Sequence, residues 1–432
     1  MAASVASELV PFRWPGQWTD PGLLSLFENG PINCLVFDSP AGAVADAARK
    51  AGISSVVWKS VNPAPVNETK WDSNAPIVAL TNLVWPRIKL AQSGADQAAA
   101  GPTGAPWIDS NCWVARLAAA RAPSKQIWLG FEPPKDEPPP SENAYRVAIA
   151  DAYAAGARWV VSLDAKLSAS LPRGGVSALR TWKGILSTLD FFEKRKAWRS
   201  FRHDGPLGAI SSFAGEDEFM SVEFLNLAAR RNLLYRVIDR SRLEQADLEG
   251  LRAVIWLDQQ APSPEAAAKL TAFAKSGGVV ILSRPAAAAI KGERELDCAV
   301  AGYRMLSFGK GCVVHALRDW DDPYFLAADA HNLVSRRYDP VRMFNGSSYW
   351  LHFSVSPDKR TQLIQMVSFG GGPRAGGTGT SDVSLRIRAP HSSVLFHAMG
   401  AEPVALQPVG EGRNLEYRLP PFEIYGALEV TV

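Results

Sequence analysis

Seven short apolar runs, each closed by a charged or polar residue, constrain this chain more than any other feature. INCLVFD ends at Asp38, SSVVWK at Lys59, PIVALTN at Asn82 and APWID at Asp109. QIWLGFE ends at Glu132, RWVVSLD at Asp164 and AVIWLD at Asp258. Buried parallel strands read as runs of Val, Ile, Leu and Trp, and the chemistry of α/β folds lies where such strands end. Six of the seven runs fall within the first 164 residues, with helical patterns between them. That is the order of a (β/α)8-type barrel and its rim. Carboxylates at strand ends predict an enzyme that works with carboxyl groups.

The first part supplies these six runs, and WPRIKLA is read as a further strand, against the eight strands of a closed barrel. The eighth is sought in the polar stretch 61–76; otherwise the barrel is incomplete. The helices AGAVADAARKAG, NCWVARLAAARA and AYRVAIADAYAAGA are expected between strands, the last capped by Ser141. A long helix follows over 181–201. Residues 205–285 restart the α/β pattern with LGAISSF, LLYRVID, LRAVIWLD and VVILS as strands, which predicts a flavodoxin-like α/β domain. GYRMLSFGKGCVVHAL reads as a hairpin turning at Gly309–Gly311. Residues 341–432 carry only strand signals, an antiparallel β-sandwich. The expected boundaries are 1–203, 204–335 and 336–432.

Composition excludes more than it assigns. A net charge of +3 over 432 residues leaves no electrostatic footprint for nucleic acid. No apolar stretch approaches the length of a membrane span. The N-terminus lacks a charged region followed by an apolar one, so a cytoplasmic location is expected. The four cysteines and six histidines are scattered without metal-ligand spacing, so no metal is expected, and no cofactor is called for. The fourteen tryptophans are core residues or stacking platforms for a sugar ring. DWDDPYF (319–325) is read as a polar turn and GEDEF (215–219) as a solvated helix start.

Three stretches carry a family resemblance. IWLGFEPPK (127–135) is similar to the seventh strand of the three-domain beta-galactosidase type of glycoside hydrolase, which ends in a catalytic glutamate before a Pro-containing loop. LRAVIWLDQQAPSPEAAAKLTAFAKSGGVVIL (251–282) resembles that family's middle domain. LPPFEIYGALEV (419–430) resembles the last strands of its terminal sandwich. The resemblance implies a barrel, a flavodoxin-like domain and a sandwich in that order, acting on carbohydrate. The family's acid/base glutamate follows an asparagine near the end of its fourth strand. Here Asn67-Glu68 stands upstream of PIVALTN, and no such dipeptide ends a strand.

Glycoside cleavage needs two carboxyl groups. Glu132 is the expected nucleophile or base and Asp109 its partner, on neighbouring strands. Asp109 alternatively caps the helix after it. Asp38, Lys59, Asn82, Trp85, Trp107, Asn111 and Asp164 are the expected substrate-binding residues, with Asp38 and Asp164 also candidates to pair with Lys59, Arg158 or Lys166. The middle domain contains no cysteine nucleophile, no phosphate loop and no dinucleotide fingerprint, and is read as a scaffold that hints at a homo-oligomer. Two rival readings stand beside the hydrolase: a catalytically degenerate barrel that binds saccharide or acts as an assembly scaffold, and a lyase on uronic sugars with Lys59 as base.

Overall fold

A computed structural model of the protein describes residues 8–39, 42–69, 75–88, 107–131, 140–346, 348–370, 383–388, 390–409 and 414–432. In its first part, β1 (Pro11–Arg13), β2 (Cys34–Phe37) and β3 (Ser54–Val57) form one parallel sheet in that order. A second parallel sheet joins β4 (Ile77–Leu80), β7 (Gln126–Gly130) and β8 (Arg158–Val160). A parallel bridge between Phe12 and Val161 links the two, with the Arg13 N–H donating to the Val161 carbonyl at 2.9 Å. The order is therefore β3-β2-β1-β8-β7-β4. Beyond β4, Ala64 makes a single parallel bridge to Leu80.

These strands alternate. Cys34, Val36, Ile77, Ala79, Trp128 and Val160 face inward and form one cluster with Trp58. Their neighbours Leu35, Leu80, Leu129 and Trp159 face outward into the main core. There they meet the helices α2 (Cys112–Arg121), α3 (Glu142–Ala154) and α5 (Val176–Glu193). Trp58, just after β3, lies against Gly130 of β7. A flat sheet would hold strands four places apart at about 19 Å, so the six strands curl toward one another.

Five of the six predicted runs are parallel strands here, and the PFR of β1 is the sixth strand. The run ending at Asp109 is the exception. Ile108–Asp109 (β6) pairs antiparallel with Arg87–Ile88 (β5) in a separate two-stranded ribbon. Among the described residues the parallel strands number six, against eight in the expected barrel. Among the described residues of 61–76, Ala64 contributes a single bridge and no strand is present. Helix α1 (Gly42–Lys50) connects β2 to β3, and α4 (Ala165–Ser170) follows β8.

The chain next forms β9 (Arg202–His203) and then the middle sheet: β10 (Leu207–Ser211), β11 (Tyr235–Asp239), β12 (Ala253–Trp256), β13 (Val279–Leu282), β14 (Glu295–Leu296), β15 (Tyr303–Phe308) and β16 (Gly311–Ala316). Its order is β11-β10-β12-β13-β16-β15-β14. The first five are parallel, in the doubly wound 2-1-3-4-5 order shared with flavodoxin. The predicted hairpin is the β15–β16 pair. Helices α6 (Glu218–Arg230), α7 (Pro264–Ser276) and α8 (Pro323–Val334) accompany it. Asp322 caps α8 and Asp319 pairs with Arg284, so DWDDPYF is a turn held by these contacts.

The last part consists of β17 (Val341–Phe344), β18 (Tyr349–Val355), β19 (Thr361–Ser368), β20 (Ser384–Arg388), β21 (Ser393–Ala398), β22 (Val404–Ala405), β23 (Asn414–Arg418) and β24 (Tyr425–Thr431). They make a three-stranded sheet, β17-β20-β23, and a six-stranded one, β22-β21-β24-β19-β18-β9. Val341, Leu385 and Tyr417 of the first share a core with Phe353, Ile364 and Leu428 of the second, as two sheets packed face to face do. The partner at the edge of β18 is β9, from the end of the first part. The largest core cluster includes Leu35 and Trp159, Phe224 and Ile255, and Trp350 and Tyr425, and so runs through all three parts. No helix among the described residues is long and apolar enough to cross a membrane.

Candidate active site at the ends of the parallel strands

Inward positions continue past the strands. Arg13 ends β1, two places after Pro11, and Asp38 follows Phe37 of β2, two places after Val36. The Arg13 guanidinium donates to Asp38 Oδ1 from Nε at 2.9 Å and approaches it from Nη2 at 2.7 Å. Its Cζ stands 5.8 Å from the centre of the Trp58 ring. Arg13 is largely buried while the Asp38 side chain is 62% exposed. The two together form a charged mouth beside an indole, at the end of the strands where α/β chemistry is found. Ser162, two places after Val160, is buried and its hydroxyl has no hydrogen-bond partner.

A separate aromatic cluster stands on the outward face of the strands, in the main core. The Trp85 ring packs edge-on against Phe131, Tyr145 and Trp159, with centroids 5.8, 5.3 and 5.5 Å away. The Tyr145 hydroxyl donates to Asp164 Oδ2 at 2.9 Å and accepts from the Asp164 N–H at 2.8 Å. Asp164 Oδ1 accepts from the N–H groups of Lys166 and Leu167 at 2.9 and 3.0 Å, capping α4. Asp164 is buried and three of these four bonds engage both of its carboxylate oxygens. It therefore acts as a cap and an anchor for Tyr145. Arg158, one of the partners considered for Asp164, is ion-paired with Glu8 and Glu193 instead.

Asn111 is likewise engaged. Its Oδ1 accepts from the Val84 N–H at 2.9 Å and its Nδ2 donates to the Val84 carbonyl at 2.8 Å. That pair fixes the segment leading to Trp85. Next to it, Ser110 Oγ donates to Asp151 Oδ1 at 2.6 Å and the Asn111 N–H to Oδ2 at 3.1 Å. Burial pushes the Asp151 carboxyl up to about 6, against the pull of Ser110, Asn111 and Arg116.

The remaining candidates are dispersed. Asp109, on the β5–β6 ribbon, has Oδ2 4.0 Å from Arg87 Nε, and its side chain is 20% exposed. Its place on that ribbon corrects the expectation that Asp109 and Glu132 end adjacent strands of one sheet. Lys59 is exposed, in the 3-10 turn Trp58–Val61. Asn82 takes a left-handed backbone after β4, with φ +57°. Trp107 carries the Arg230 guanidinium 4.8 Å from its ring centre. Glu132, Gly104 and Pro106 lie outside the described residues. No group of three or more metal-ligating side chains stands together among the described residues.

The structure thus brings Asp38 together with Trp58, and Trp85 together with Asp164, each through a residue that the strand-end pattern does not single out. Arg13 is one; it ends a strand of only three residues, too short to carry a sequence signal. Tyr145 is the other, and its only signal was an aromatic residue near a helix start.

No protein-family model matches the sequence, and no curated protein matches it. Solved structures that the chain resembles include an alpha-L-fucosidase isoenzyme 2 from Paenibacillus thiaminolyticus, at 12% identity over 71% of this chain and 60% of that one, with a TM-score of 0.49. A beta-galactosidase from Bacillus circulans sp. alkalophilus is 10% identical over 74% of this chain and 62% of that one, with a TM-score of 0.47. A beta-galactosidase from the haloarchaeon Halorubrum lacusprofundi is 14% identical over 92% and 63%, with a TM-score of 0.43. The beta-galactosidase type named from the sequence is thus among its structural neighbours. The chain spans only 60 to 63% of the length of these proteins, and at such identities and TM-scores the likeness assigns no activity.

Proposed function

We propose that the chain is a glycoside hydrolase that cleaves with a pair of carboxylates, one just past a parallel strand and one on the β5–β6 ribbon. The observation that supports this most is the Arg13–Asp38 pair beside the Trp58 ring. It holds a carboxylate for sugar hydroxyls in place at the chemical end of a curled parallel sheet, with its guanidinium partner braced on the buried Trp58 ring. In this reading Glu132 is nucleophile or base, since its number continues the inward series Trp128 and Gly130. Asp109 is the partner acid, carried by the ribbon beside Val84 and Trp85. Asp38 is a sugar-hydroxyl acceptor held by Arg13, with Lys59, Asn82 and Trp107 at the periphery. Trp85, Asn111 and Asp164 are positioning residues. Residues 1–203 are the catalytic part, 204–335 a scaffold or oligomerisation element, and 336–432 the sandwich.

A saccharide-binding protein without turnover is the second reading. It is favoured by the packing of Trp58 and Trp128 into the strand interior, which leaves the mouth shallow. The lyase reading loses support because Lys59 is exposed, whereas a lysine base is a buried one.

The deciding experiment is hydrolysis of a panel of aryl glycosides, both anomers, by the wild type, Glu132→Gln and Asp109→Asn. Turnover by the wild type that drops at least a hundredfold in folded Glu132→Gln is the expected result. Equal turnover in both would remove Glu132 from the chemistry. Saccharide binding with no turnover by any form would establish the second reading.

A further inference from the structure

Three basic side chains meet where the three parts of the chain join. Arg116 of α2 is 6% exposed, and its Nη2 lies 3.1 Å from Nδ1 of His352 on β18. His203 of β9 stands across from His352, with ring centres 6.3 Å apart. Nδ1 of His203 and Nε2 of His352 are buried with no hydrogen-bond partner. So is the hydroxyl of Ser354, which is paired in register with His203. A cavity of about 30 Å³ lies beside His203, Ser354 and Gln365, enough for one water molecule.

The charges facing these rings come from several elements. Helix α2 contributes Arg116 and Cys112, whose Sγ is 3.9 Å from His352 Nδ1. Tyr235 of β11 lies under the Arg116 guanidinium at 4.9 Å. Asp151 of α3 offsets Arg116 electrostatically and loses its charge near pH 6. Tyr153, Arg195 and Arg199 line the cavity on the side of the first part, where Arg199 is paired with Glu8 and Glu193. Among the described residues, no carboxylate bonds either imidazole. His203 is half-buried with its Nδ1 inside; desolvation holds its imidazole down to about 3, with Arg116 adding to the effect and the backbone of Ala155 and Phe353 opposing it. Burial, Arg116 and His203 hold His352 well below the ordinary histidine range.

These rings sit on the seam itself. β9 ends the first part and pairs with β18 of the sandwich, and the Asp204 N–H continues the pairing to the Phe353 carbonyl at 2.9 Å. We propose that the His203–His352–Arg116 cluster is an acid-released latch, which holds the C-terminal sandwich to the first part while both imidazoles are neutral and frees it when they take up protons. A proton on either ring puts a second cation beside Arg116 in a largely buried space, and separation of β9 from β18 opens that space fully to water. Both folded-state values lie below the ordinary 6.5, so the closed form loses ground as pH falls below 6.5. Each histidine multiplies the open population about tenfold per pH unit between there and its folded value, and the two together about a hundredfold.

The test follows the two rings by NMR on the full chain while amide hydrogen exchange reports on residues 202–204 and 349–355. Through pH 7 to 5 the His203 and His352 rings should stay neutral in the closed form. Protection of the Asp204 and β18 amides should fall steeply with pH, ahead of the β10–β12 amides. In the double variant His203→Asn/His352→Gln the pH at which that protection is lost should drop by at least one unit. Rings that titrate near 6.5 with protection intact would overturn the latch, as would a folded double variant that opens at the wild-type pH. Should the double variant not fold, the wild-type titration decides alone.

Discussion

A methyl group on Gly130 would stand 2.3 Å from Cη2 of Trp58 and 2.4 Å from Cζ2. Gly130 is therefore empty because the indole that follows β3 occupies the space. Trp58 has the Arg13 guanidinium on its other side, so one missing side chain sets the position of the residues at the mouth. Gly130→Ala is expected to destabilise the protein by about 1–3 kcal/mol through overpacking. The effect would be seen as a lower urea midpoint at unchanged slope, and an unaltered midpoint would mean that Trp58 does not fill the interior. At this scale the sequence was only partly readable. Asp38 was visible because it closes a long apolar run. Arg13 was not, since three residues of β1 are too few to show alternation. Asp164 was visible as a strand-end acid, but its role depends on Tyr145 from a helix that sequence spacing does not place beside it.

Elements with signals at both ends were the most legible. Helix α7 has Ser263 as its cap, accepting from the Ala266 N–H at 3.2 Å, then Pro264 in its first turn, and Gly277 with φ +122° past its end. Ser263→Ala should cost about 1 kcal/mol, measured by thermal or denaturant unfolding, and Ser263→Asp should restore most of it. The run ending at Asp109 shows the opposite case. An apolar stretch of four or five residues reads the same whether its backbone bonds go to a parallel neighbour or to a short antiparallel one. Only the partner strand Arg87–Ile88 separates the two, and pairing partners are not local information. The same limit hid β9, whose two residues have meaning only through β18.

For the molecule as a whole, the sequence pattern separates three segments where packing does not. Outward residues of the first part, one face of the middle sheet and Trp350, Leu363 and Tyr425 of the sandwich lie in one continuous cluster. Arg121 of α2 also reaches Asp239 of β11 at 2.5 Å, with both side chains largely buried. Burial works against the Asp239 carboxylate, yet its bonds from Arg121 and Ser241 hold its pKa below the ordinary value. At neutral pH the chain is expected to unfold in one calorimetric transition, with van't Hoff and calorimetric enthalpies in agreement. Three resolved transitions would show that the shared core contributes little. In mild acid the latch predicts that the sandwich separates first, splitting that single transition.

Arg202 and His203 shield the backbone edge of β18, and unshielded edges are sticky templates for other chains. The last sheet is thus completed by a piece that precedes the middle sheet by a few residues and belongs to the first part. Gene fusion or shuffling that exchanged the sandwich as a cassette would leave that edge behind. A sandwich transplanted without Arg202 and His203 is therefore expected to expose the β18 edge.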